Sequence, residues 1–118
     1  MADTLKVLGQ VAPPPATMMD LYTAPEGTQV VVSSIIICNR GDSDTTFRLA
    51  VSPGGASIED KHYLYYDTRI PGSETLAAQI GVTLSAGDKL RVRAGNNMLW
   101  FSAFGIEVSP GGASIEVI

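Results

Sequence analysis

His62 is the only histidine in the chain, and it follows two carboxylates, Glu59 and Asp60. Imidazole and carboxylate are the side chains most used for proton transfer near neutral pH, so this triplet is the first place to look for a general base. Acyl or glycosyl chemistry needs a nucleophile or a second carboxylate at a matched position, and no spacing in the sequence singles one out. A lone histidine must borrow other ligand types to hold a metal. The single cysteine, Cys38, permits neither an intrachain disulfide nor a thiolate zinc set. Cys38 closes the run Ile35-Ile36-Ile37-Cys38, where a thiol packs as a small hydrophobe. Asp42 and Asp44 offer two oxygens of the kind calcium takes, but the rest of a calcium-loop pattern is missing and a capped turn accounts for them. Arg40-Gly41-Asp42 spells a cell-adhesion tripeptide that serves equally as a turn. Gly54-Gly55 and Gly111-Gly112 lack the Lys-Ser/Thr and helix of a phosphate loop, so they too read as turns. The expectation is a protein that is not an enzyme and has no cofactor or metal.

Aromatic residues offer recognition chemistry instead. Tyr63, Tyr65 and Tyr66, with Trp100 and Phe101, could form a platform for carbohydrate or for another protein. Strand alternation puts Tyr63 and Tyr65 on one face and Leu64 and Tyr66 on the other; core and subunit packing is the plainer use of such rings. Lys89, Arg91 and Arg93 also alternate, giving one strand a cationic face that is solvated or faces a subunit. The net charge of −4 supplies no Lys/Arg surplus for nucleic acid.

These residues must be positioned by strands. Apolar alternation of period two, bounded by Gly, Pro, Asn and Asp, recurs along the chain, and helical spacing is almost absent. Strands are expected over 5–8, 19–23, 29–38, 45–51, 62–66, 74–80, 89–93 and 98–108, with the β-branched 29–38 run central. Asn39 to Asp44 and Gly95-Asn96-Asn97 read as hairpin turns. About eight strands at regular spacing predict an all-β fold: a single antiparallel β-sandwich of jelly-roll type. A chain of 118 residues suits one domain over 1–118, and 45% hydrophobic against 17% charged residues predicts extensive burial, part of it against other subunits. Neither a signal sequence nor a membrane-length apolar run is visible, so no membrane partner is expected, and the lone cysteine fits synthesis inside a cell.

One string occurs twice: Val51 to Glu59 returns letter for letter as Val108 to Glu116. Residues 109–118 therefore form a C-terminal extension repeating 52–59, and the alternating Ala113-Ser-Ile115-Glu-Val117-Ile118 suits strand addition to a neighbour. Pro13, Pro14 and Pro15, which cannot donate to a ladder, form a connector or arm. Pro13, Pro14, Pro15, Tyr65, Trp100, Ile115 and Val117 are the expected partner and assembly contacts.

Two resemblances add to this. Val82 to Ala94, with its Gly87-Asp88 turn, followed by Leu99-Trp-Phe-Ser-Ala-Phe-Gly-Ile106, resembles the closing strands of trimeric jelly-roll heads of the complement-head and tumour-necrosis-factor kind. Leu5-Lys-Val-Leu-Gly-Gln10, Leu21-Tyr-Thr-Ala-Pro25, Val32 to Gly41, Tyr63-Leu-Tyr-Tyr-Asp67 and Phe104-Gly-Ile-Glu107 resemble small structural proteins of tailed bacteriophages. The first implies a homotrimer. The second implies a virion component made in the host cytoplasm, acting as a capsid decoration or cement protein that packs against itself and a larger virion protein such as the major capsid protein. The alternative is a tail-fibre or baseplate module that recognises host-surface carbohydrate.

Overall fold

Val30, Val32, Ile35 and Ile37 are fully buried on one face of the longest β-branched run, and that run organises the fold. A computed structural model describes residues 2–109, in which nine strands form two antiparallel sheets. The strands are β1 (Ala2–Val11), β2 (Met19–Thr23), β3 (Gln29–Asn39), β4 (Thr45–Ser52), β5 (Tyr63–Ile70), β6 (Thr75–Ala78), β7 (Val82–Ser85), β8 (Lys89–Ala94) and β9 (Leu99–Ser109). The first sheet has the order β1-β9-β3-β6, with β7 also on β3; the second has the order β2-β8-β4-β5. β6 pairs with Ile35 to Cys38 and β7 with Gln29 to Val32. The two are halves of one strand position interrupted at 79–81, so nine strands occupy eight strand positions, four in each sheet.

The core lies between the sheets. Phe101 of β9 meets Phe47 of β4 edge to face at 6.1 Å between centroids, and Leu49, Leu90, Val92, Leu84 and Leu99 close around them without exposure. Alternation produces this directly: in β8, Leu90, Val92 and Ala94 are buried while Lys89, Arg91 and Arg93 face outward.

Several expectations change. The Asn39–Asp44 and Gly95–Asn97 segments do not close hairpins, because β3 and β9 lie in the first sheet and β4 and β8 in the second. Turn residues report a reversal of direction, and crossing between sheets reverses the chain as a hairpin does. The first strand is longer than 5–8, and β7 is an additional strand. The proline segment is not a free arm: Pro13 is buried, Pro15 bridges Ala94, and the Ala16 N–H donates to the Ala94 carbonyl at 2.7 Å. A stretch without amide donors can still be pinned at its end, and here it is held against the last residue of β8. Ile115 and Val117 lie outside the described residues.

Asn39 holds one end of the sandwich together. It is 1% exposed; its Nδ2 lies 3.0–3.1 Å from the carbonyls of Ser43, Ile70 and Pro71, and its Oδ1 accepts the Gly41 N–H at 2.9 Å. One amide thus joins the β3–β4 and β5–β6 loops.

Candidate functional site

The outer face of the first sheet is where the sequence departs from apolar-in, polar-out alternation. Register places Leu5, Ile106 and Val31 in one row across β1, β9 and β3, and Val7, Phe104 and Ser34 in the next. Gln10, Ser102, Ile36 and Ala77 form a third row, and Trp100, Cys38 and Thr75 a fourth. Two bulges at the same level, at Leu8 in β1 and Ser33 in β3, keep these rows aligned across β9, and the Ser33 hydroxyl donates to the Phe104 carbonyl at 3.1 Å. Leu5 is 80% exposed, and Val7, Val31 and Trp100 are 50%, 41% and 47% exposed. Beside Trp100 a groove of about 330 Å³ runs along Gln10, Val11, Ala12 and Ser102. The Arg40 guanidinium stacks 4.2 Å from the Trp100 ring centroid and covers part of it.

The outer face of the second sheet is charged. Asp20 of β2 accepts from Lys89 and Arg91 of β8, each at 2.9 Å, and the Lys89 hydrogen bond leads in holding its carboxyl below the ordinary range. Arg48 of β4 faces two residues of β5 at a bulge: it pairs with both oxygens of Asp67, at 2.6 and 3.2 Å, and stacks 4.1 Å from the Tyr66 centroid. The Arg48 hydrogen bond draws the Asp67 carboxyl down, and the same bond raises the guanidinium. Tyr63 meets Tyr66 edge to face at 4.9 Å, and a cavity of about 430 Å³ opens among Tyr63, Tyr66 and Asp60.

The predicted aromatic platform is therefore divided. Trp100 and the tyrosines stand on opposite sheets, and Phe101 is core. Tyr63 and Tyr65 do not share a face, because β5 is bulged: Tyr63 lies opposite Ala50 and Tyr65 opposite Leu49, which turns Tyr65 inward against Phe47 at 5.5 Å. Pro14 and Pro15 remain exposed. The catalytic candidates are engaged in local structure. His62 ends a short 3-10 turn, and its Nδ1 accepts the Glu59 N–H at 2.9 Å. Asp44 receives Arg69 and the Gly72 N–H, the arginine leading in lowering its carboxyl. Asp88 accepts from Gly54 N–H at 2.7 Å, so the first copy of the repeated string docks on the β7–β8 turn.

Between the sheets at the opposite end from Asn39, the Tyr22 hydroxyl donates to Glu107, and Lys6 pairs with the same carboxylate at 3.2 Å. Tyr22 and Lys6 hold the Glu107 carboxyl below its usual range, and burial, then Glu107, pushes the Tyr22 phenol up. Neither this latch nor the Asn39 joint was identified from sequence. Among the described residues no group of three or more His, Cys, Asp and Glu side chains is arranged to hold a metal, and no helix is long and apolar enough to cross a membrane.

No family model and no curated protein matches the chain. A pentameric capsid protein isolated from metagenomic phage sequences aligns at 16% identity over 91% of this chain and 61% of its own, with a TM-score of 0.39. The chain thus spans less than two thirds of that protein's length.

Proposed function

We propose that this chain is a non-enzymatic structural component of a phage particle, a capsid decoration or cement protein that assembles with copies of itself through the outer face of its first sheet. The observation that carries the reading is the patch of exposed Leu5, Val7 and Val31 around half-buried Phe104 and Ile106, with Trp100 further along the same face beyond the Gln10–Ser102 pair. A contiguous apolar sheet face is unusual on a monomer and marks an interface. Its occupant is a second copy: the rows carry almost no charge that a differently charged partner could pair with, and a flat apolar row meets its own equivalent without a mismatch. The particle itself comes from the sequence resemblance to small phage structural proteins, and a trimer from the jelly-roll analogy.

Light scattering after size exclusion tests the assembly. The wild type is expected at a multiple of the chain mass, and Leu5→Asp combined with Val31→Asp at one chain mass with an unchanged far-ultraviolet spectrum; a wild type that stays at one chain mass refutes the interface. Counting copies on purified particles tests the placement. Decoration predicts a number comparable to the major shell protein, and a few copies confined to the tail would refute it.

A further inference from the structure

The Tyr63–Tyr66 pocket on the second sheet is built in a way that neither core packing nor self-assembly through the first sheet requires. Two bulges in the edge strand β5 bring Tyr63, Tyr66 and Asp67 to the same outer surface, and Asp67 takes a left-handed conformation, φ 49°, to reach Arg48. Bulges at a sheet edge re-aim side chains, and a non-glycine residue held at positive φ marks a place where the surroundings over-determine the backbone. A charge on β5 alone would suffice to block edge pairing, so the two rings need another reason.

We propose that this pocket binds an acidic saccharide, a pyranose ring that carries a carboxylate. Tyr66 is 56% exposed and fixed by Arg48 on one side and Tyr63 on another, so a sugar's apolar C–H face finds a preset aromatic surface. Arg48 and Arg93 stand directly opposite each other across β4 and β8, an unfavourable like-charge pair. Asp67 is ion-paired to Arg48 and close enough to Arg93 for that charge to help lower its carboxyl, while Arg93 makes no direct ion pair of its own among the described residues. A ligand carboxylate on the second guanidinium completes the charge balance with the planar geometry arginine favours. Asp60, at the cavity rim, makes no side-chain hydrogen bond or ion pair among the described residues, and can accept from adjacent sugar hydroxyls. The inference does not depend on the particle assignment or on the first-sheet interface.

Titration calorimetry of the full chain with three probes tests it: trigalacturonate, α2,8-linked trisialic acid and neutral trigalactoside. At least one acidic trimer is expected to bind roughly tenfold or more tightly than the neutral one, which corresponds to about 1.4 kcal/mol. Tyr66→Ala should weaken that binding about tenfold, Tyr66→Phe should retain it, and Arg93→Gln should abolish the preference for the acid, all with unchanged unfolding midpoints. Failure of both acidic trimers to bind, binding unmoved by Tyr66→Ala and Arg93→Gln, or competition by inorganic sulfate at equal concentration would overturn the proposal. Because Tyr66 and Arg93 lie on different strands, loss of fold in one variant leaves the other to decide.

Discussion

Replacing Asn39 by aspartate changes no volume, yet it exchanges an amide donor for an acceptor where three carbonyl oxygens converge. At 1% exposure water cannot relieve the conflict. Above neutrality the new carboxyl is either ionised against the carbonyls of Ser43, Ile70 and Pro71 or forced to take up a proton. Protonating a carboxyl of ordinary pKa about 3.9 at pH 7 costs about 4 kcal/mol, which caps the ionic penalty. The neutral acid then has one O–H where the amide had two N–H groups, a further loss of about 1 kcal/mol. The bond to the Gly41 N–H survives in either form. Asn39→Asp should therefore destabilise by about 3–5 kcal/mol at pH 7, a large share of the roughly 5–15 kcal/mol typical of a domain. The folded-state pKa of this acid is raised above its unfolded value, so the ionisation part of the penalty is absent below the unfolded pKa, grows as pH rises between the two, and is complete above the folded one. Urea unfolding of variant and wild type at about pH 7 and about pH 4 measures the difference at each pH, which removes the acid response of the native carboxylates. The difference should shrink to about 1 kcal/mol in acid. A difference below about 1 kcal/mol at pH 7, or one equal at both pH values, would refute the role given to this amide.

Two further outcomes follow from the packing. Glu107 is held below its ordinary range chiefly by the Tyr22 hydroxyl, then Lys6, so its contribution is present above the unfolded pKa of about 4.3 and is lost as pH falls through the folded value. Tyr22→Phe should cost about 1–3 kcal/mol at neutral pH, with the gap from wild type narrowing in acid; a gap independent of pH in urea unfolding would contradict the latch. Gly105→Ala would set a methyl against the Val31 carbonyl and near Leu8, whereas Gly54→Ala meets nothing within 4 Å and carries only the cost of φ 61°. Thermal melts should show a loss of about 3 kcal/mol or more for the first and about 1 kcal/mol for the second; equal losses would contradict the close approach of β3 to β9.

Strand positions were legible because burial on one face imposes period two, and β2, β3, β4 and β8 fall within a residue or two of where alternation put them. Sheet membership was not legible. The residues Asn39 to Asp44 and Gly95 to Asn97 are chosen for backbone reversal, which says nothing about whether the next strand joins the same sheet or the facing one. The bulges in β5 escaped for a related reason: an extra residue shifts every side chain beyond it, and Tyr63-Leu64-Tyr65-Tyr66 contains no glycine to announce one. Asn39 and Glu107 were hidden because their partners, Ile70 and Pro71 in one case and Tyr22 in the other, are brought close only by the sandwich. Asn39 sits in a stretch that already looked like a turn. Glu107 sits in an alternating strand where an acidic residue reads as solvated.

The contrast between the two outer faces was nevertheless present in the sequence. β8 alternates strictly, Leu90, Val92 and Ala94 against Lys89, Arg91 and Arg93, as a strand does when only one of its faces is covered. β3 and β9 do not: Ile35, Ile36, Ile37 and Cys38 run apolar through both faces, and Trp100, Phe104 and Ile106 interleave with Phe101, Ala103 and Gly105. Strands apolar on both faces belong to sheets covered on both faces. The second sheet covers only the inward one, through Phe47, Leu49, Leu90 and Val92. Within the described residues nothing covers the other, although β3 and β9 are the two inner strands of the first sheet and so present its broadest surface. The proposed self-assembly would supply that layer from the equivalent face of a second copy, since two such faces match in apolar character.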